Sequence, residues 1–197
     1  MNILVLTAHP NLSASTSNQI WFNALSNTKN SPDDITIVTR DLTKVAGPEM
    51  RFEPLIEQAL LNKADRVVLQ FPFYWYSSPP VLKAWLDQVL LFGFAYGPNG
   101  DKLHGKELML AITTGGPAES FQASSFNRFT MEQFLTPFEQ TANMVGMSYL
   151  APFILHSAMS RDPAKLNASV HELINYVTHS KHRPAHLGKQ QSVQQPA

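Results

Sequence analysis

Cysteine is missing from this chain altogether. That one absence removes a disulfide framework, a thiol nucleophile and a thiolate metal site, and it fits a cytoplasmic location. Net charge is missing too, with 15 Lys and Arg against 15 Asp and Glu. A nucleic-acid binder carries a basic footprint, so no nucleic-acid partner is expected. No apolar run is long enough to span a bilayer, because Val89-Leu90-Leu91-Phe92 is broken at Gly93. The start Met1-Asn2-Ile3-Leu4-Val5-Leu6 has no basic segment and runs straight into His9-Pro10, which is not a secretory pattern. Neither G-x-G-x-x-G nor G-x-x-x-x-G-K-[ST] occurs, which excludes the Rossmann fingerprint and the P-loop. There is no G-x-S-x-G elbow to support a hydrolase. His179, His182 and His186 have no cysteine partners, and no metal is expected there.

What is present is an alternation of strand-length apolar runs with helix-length amphipathic stretches. Strands are expected at Ile3–Thr7, Ile35–Thr39, Arg66–Phe71, Leu108–Thr113 and Tyr149–Leu155, the last weakened by Pro152. Helices are expected at Ser17–Asn27, Pro54–Lys63, Val81–Leu91 and Ala164–His179, with a further one opening at Thr130. Thr130 and Gln133 make a capping-box pattern, and Pro137 predicts a kink or break in the helix they open. In the second helix Leu55, Ala59 and Leu60 read as the inward face. The 197 residues suit one domain, placed at 1–182, with a loose Pro-, Gln- and Ser-containing tail over 183–197. Strands alternating with helices argue for a parallel sheet covered on both faces. Right-handed crossovers then bring every strand-to-helix loop to one edge, where such proteins bind ligands.

Three of those loops carry unusual residues. The first runs from His9 to Asn18 and ends where a helix begins. A helix N-terminus can hold a phosphate without Lys or Arg, and His9, Ser15, Thr16, Ser17 and Asn18 add side-chain donors. The same Ser and Asn residues also read as a plain helix cap. The second loop is Pro72-Phe73-Tyr74-Trp75-Tyr76. Four consecutive aromatics cannot all enter one core, so some face a cavity, a flat ligand or another chain. The third is Thr113-Thr114-Gly115-Gly116, where glycines let the backbone approach a ligand and aim N–H groups at it.

Together these segments resemble the flavodoxin-like NAD(P)H:quinone oxidoreductases. The matches are His9-Pro10 with Ser15–Asn18, Gln70–Tyr76, Leu82-Lys83-Ala84-Trp85, Gly93-Phe94-Ala95-Tyr96 and Ile112–Gly116. The length and the Trp75-Tyr76-Ser77 loop are similar to the short bacterial members, which include ancillary subunits of glutathione-gated potassium efflux systems. The resemblance implies a flavodoxin-like three-layer sandwich with a five-stranded parallel sheet of order 2-1-3-4-5. It implies FMN rather than FAD, since the chain has no adenosine-binding extension, with NADH or NADPH as electron donor.

The resemblance also implies roles by position, in which His9, Ser15, Thr16, Ser17 and Asn18 would hold the flavin phosphate. Pro72, Phe73, Tyr74, Trp75 and Tyr76 line the isoalloxazine near N5 and O4. Thr113, Thr114, Gly115 and Gly116 face its N1–O2 side. Tyr96, Phe121 and Asn127 fall in the substrate pocket. Longer animal members carry a tyrosine and a histidine where this chain has Phe121 and Asn127, so no general acid is assigned. The implied reaction is a two-electron ping-pong, in which a hydride passes from NAD(P)H through the flavin to a quinone or similar flat acceptor. A homodimer is expected, covering an apolar edge around Phe92–Tyr96. The second reading is a regulatory flavoprotein that docks on a potassium efflux transporter, peripheral at the inner membrane face.

Overall fold

The computed structural model describes residues 1–28 and 35–179. The expected tail over 183–197 and its boundary at 182 lie outside the described residues, as do His182 and His186.

Five parallel positions build one sheet. β1 (Asn2–Thr7) is flanked by β2 (Thr36–Asp41) and β3 (Arg66–Pro72), and β3 is followed by β4 (Glu107–Thr113) and β5 (Ser148–Tyr149). The order is β2-β1-β3-β4-β5, as expected, and every pairing is parallel. β1, β3 and β4 are continuous apolar runs because both their faces are covered. Leu4, Leu6, Leu69, Phe71, Leu110 and Ile112 point to one layer, and Ile3, Val5, Val68, Met109 and Ala111 to the other. This is the period-two alternation of a strand. On the first face lie α2 (Leu42–Ala46), α3 (Pro54–Lys63), α4 (Pro80–Val89) and α5 (Met131–Met144). On the second lie α1 (Ser17–Asn27) and α6 (Pro163–His179), tied by Trp21 Nε1 donating to Ser169 Oγ at 2.9 Å.

Three local expectations change. The fifth strand is two short pieces, β5 and β6 (Phe153–Leu155), and both pair with β4. Pro152 lies between them and has no N–H to give to a ladder. The helix opened by Thr130 keeps its capping box but runs unbroken through Pro137. Proline frees the Gln133 carbonyl, and the Thr136 hydroxyl takes it up. α3 buries only part of the face expected: Leu60 packs on the core, but Ala59 is exposed and Leu55 is 81% exposed, while Glu57 and Leu61 are buried. A carboxylate enters a core only when its charge is met. Arg40 Nε donates to both Glu57 oxygens at 2.9 and 3.0 Å, and Trp85 Nε1 donates at 3.1 Å.

The register sets the working edge. Thr7 pairs with Asp41 and Gln70, Pro72 with Thr113, and Thr113 with Leu155. The strands therefore end together, and their outgoing loops share one rim.

Candidate functional site

The loop after β1 ends in the N-terminus of α1. Ser15 Oγ accepts from the Asn18 N–H at 3.3 Å, so this serine is a cap. The N–H groups of Thr16 and Ser17 donate to nothing among the described residues. Asn18 is buried, and its side chain is engaged: Nδ2 donates to Thr113 Oγ1 at 3.0 Å. Gln70 Nε2 donates to the Asn18 carbonyl at 2.8 Å. The first and third loops are thereby locked together. His9 Nδ1 accepts from the Asn11 N–H at 3.1 Å, which leaves Nε2–H as the donor of the neutral ring. Burial pushes the His9 pKa below its ordinary value.

The aromatic loop is a tight turn. Tyr74 and Ser77 exchange both backbone hydrogen bonds, at 3.0 and 2.9 Å. Its central residues Trp75 and Tyr76 have φ of 46° and 62°. Two successive positive φ values are the signature of a type I′ turn, which usually takes Asn and Gly. Aromatic residues here carry strain of the kind concentrated at ligand sites. Phe73 turns inward, with its ring against Tyr76, Phe121 and Phe134. Trp75 stands 93% exposed. The N–H groups of Trp75, Tyr76, Gly115 and Gly116 are unengaged among the described residues.

Two clefts meet along this rim. One, of about 610 Å³, is lined by His9, Ser15–Asn18, Pro72, Phe73, Tyr74, Thr113–Gly115, Ala158, Met159 and Arg161. The other, of about 490 Å³, is lined by Phe73, Trp75, Tyr76, Thr114–Pro117, Ser120, Phe121, Phe126 and Asn127. Phe73, Thr114 and Gly115 belong to both, so the clefts are neighbours.

Every site residue expected from the three loops lines one of the clefts. Phe121 and Asn127 line the second, and Tyr96 lines neither. Tyr96 packs edge-on to Phe92. The apolar edge around Phe92–Tyr96 is less exposed than expected: Ala95 is buried, Phe94 and Tyr96 pack on the core, and Phe92 alone of its aromatics stands out at 67%.

Sequence reasoning missed a fourth loop, from His156 to Arg161. It places a cation beside a cleft that was expected to work without one. The signal was available, since a fifth parallel strand must deliver its outgoing loop to the same edge. Among the described residues no helix is long and apolar enough to cross a membrane.

The general stress protein 14 of Bacillus subtilis (strain 168) is 42% identical over 90% of this chain and 97% of its own length. An uncharacterized NAD(P)H oxidoreductase, YdeQ, of the same organism is 38% identical over 93% and 90%. The potassium-efflux ancillary protein KefG of Salmonella newport (strain SL254) is 37% identical over 83% and 86%. Among solved structures, a chain described as a thermophilic tryptophan halogenase from Streptomycin violaceusniger is 39% identical, with a TM-score of 0.84 and coverage of 90% and 99%. The general stress protein 14 of Treponema denticola in complex with FMN is 33% identical, with a TM-score of 0.80 and coverage of 90% and 98%. An NADPH-quinone reductase from P. pentosaceus is 32% identical, with a TM-score of 0.78 and coverage of 91% and 99%. A family of flavodoxin-like fold matches residues 1–177, and with this sheet order and these relatives the chain belongs to it.

Proposed function

We propose that this protein is an FMN-dependent NAD(P)H:quinone oxidoreductase that moves two electrons by ping-pong from a nicotinamide to a flat acceptor. The observation that carries the reading is the pair of neighbouring clefts that share Phe73, Thr114 and Gly115. One end suits a phosphate monoester, and the other suits a planar ring with a carbonyl edge. The relative from Treponema denticola holds FMN, and relatives named as NAD(P)H oxidoreductases support the donor.

The residues present fit FMN. The N–H groups of Thr16 and Ser17, the helix dipole, the His9 Nε2–H and Arg161 would hold the phosphate dianion. The N–H groups of Trp75 and Tyr76 would donate to one polar edge of the ring. Those of Gly115 and Gly116 would donate to the other and stabilise negative charge there. FMN, when bound, supplies the capacity to accept a hydride and pass it on. The second cleft, lined by Trp75, Phe121 and Phe126, would admit nicotinamide and acceptor in turn. Exposed Leu91 and Phe92 support a homodimer, which sedimentation of the full chain at micromolar concentration tests.

The main test is a spectrum of the purified chain with added FMN, followed by anaerobic NADH or NADPH and then a quinone. Bound flavin that bleaches with the nicotinamide and recovers with the quinone supports the enzyme. Lack of flavin binding overturns it. Flavin that binds without being reduced favours the second reading, a regulatory subunit docked on a potassium efflux transporter. The KefG relatives motivate that reading, and co-purification with such a transporter tests it.

A further inference from the structure

The loop that the sequence reading missed brings an imidazole onto the glycine turn. His156 Nδ1 lies 3.0 Å from Thr114 Oγ1, and Thr114 Oγ1 lies 2.9 Å from the Gly116 carbonyl. A hydroxyl has one proton, and a carbonyl can only accept. The Thr114 proton therefore goes to Gly116, and His156 Nδ1–H donates to the hydroxyl oxygen. This chain of bonds fixes the tautomer: the neutral ring carries its proton on Nδ1 and a lone pair on Nε2. The imidazolium keeps the same Nδ1–H, so protonation does not break the bond.

Three backbone bonds press the same loop onto the turn. The Thr114 N–H donates to the Leu155 carbonyl at 2.9 Å, and the Ala158 N–H donates to the Thr114 carbonyl at 2.9 Å. The Ser157 N–H donates to the Gly116 carbonyl at 3.0 Å. Ser157 sits at φ 57°, a left-handed conformation that turns the chain back there. The His156 ring also packs on Phe121, centroids 5.5 Å apart, and Phe121 lines the second cleft. Glu119 is the charged group whose field reaches the ring. The carbonyls of Thr114 and Gly116 are thus both held from behind. The N–H groups of Gly115 and Gly116 remain the unengaged ones, on a turn that lines both clefts.

We propose that His156 is a positioning residue for the ligand-facing glycine turn: through Thr114 it aims the Gly115 and Gly116 N–H groups at the anionic edge of the bound ring. That identity of the ring rests on the FMN reading above; the hydrogen-bond chain does not. His156 lines neither cleft, so it acts on the bound ring through Thr114 and not by touching it.

The test uses the full chain, wild type, His156→Ala and His156→Asn. The Asn amide nitrogen replaces Nδ1–H as a donor but cannot titrate. Ring-nitrogen shifts of His156 in the flavin-free protein are expected to show the Nδ1–H tautomer; an Nε2–H ring overturns the proposal. Amide exchange at Thr114, Ser157 and Ala158, whose N–H groups hold the loop on the turn, is expected to speed up in His156→Ala and to recover in His156→Asn. With FMN, His156→Ala is expected to bind about tenfold more weakly and to hold the flavin at a lower midpoint potential, with both restored in His156→Asn. Wild-type exchange, affinity and potential in His156→Ala overturn the proposal, as does a failure of Asn to rescue them in a folded variant. If wild type binds no FMN, the functional reading falls, and the tautomer and exchange data still decide the role of His156.

Discussion

Asn18 Nδ2 donates to Thr113 Oγ1 at 3.0 Å, joining the loop after β1 to the end of β4 across 95 positions of sequence. Both groups are buried, so the bond is shielded from water and its loss leaves a polar atom unpaired. The two ends of the site hold their spacing through this contact. Asn18→Ala is expected to destabilise the fold by about 1–3 kcal/mol and to weaken FMN binding. Urea unfolding and flavin fluorescence titration measure the two effects separately.

Arg161 is the cation in the cleft at the N-terminus of α1. A phosphate monoester carries close to two negative charges, whereas riboflavin carries none. Arg161→Gln is therefore expected to weaken FMN about tenfold and leave riboflavin affinity unchanged. The salt dependence of FMN binding should flatten in the variant. Equal losses for both flavins would remove Arg161 from the phosphate.

Gly115 lies where both clefts meet. A Cβ at this position meets Met159 Sδ at 3.2 Å, the far end of a flexible side chain, so the fold can tolerate a side chain. The ligand-facing N–H cannot be approached as closely past a branched side chain. Gly115→Val is expected to fold and to lose its flavin. Circular dichroism with flavin content of the purified protein checks this, and wild-type content in a folded variant counts against the site.

Two half-buried histidines at the site link stability to pH. Burial holds His9 below its ordinary 6.5, with Asp41 pulling the other way. Burial does the same to His156, against Glu119. A lowered folded pKa means that the unfolded chain binds more protons just below pH 6.5. Their contribution is complete above the ordinary value and is lost as pH falls through the lowered folded values. The flavin-free protein is expected to be less stable in urea at about pH 5 than at about pH 7. His9→Gln combined with His156→Asn should flatten that slope.

Glu57 shows a limit of one-dimensional reading. The helical period over Pro54–Lys63 suggested an apolar face through Leu55, yet the acidic residue turned inward. The reason is Arg40, which belongs to β2, and Trp85, which belongs to α4. No pattern within α3 announces partners that lie outside it. Pro137 shows the same limit in reverse, since a local rule predicted a kink or break, and the helix continues with a neighbouring hydroxyl taking up the freed carbonyl.

The sequence by itself determined the parallel sheet, its flanking helices and three of the loops at the working edge. Those features rest on hydrophobic period, on capping and turn residues, and on the right-handed crossover, all of which act over short stretches of chain. Only the tertiary structure decided which backbone donors stay unengaged, that Asn18 is tied to Thr113, and that His156 and Arg161 join the site. The placement of His156 and Arg161 depends on the register of β6 against β4 after the break at Pro152. Register is a relation between strands distant in sequence, set by how a whole core closes, and no local pattern encodes it.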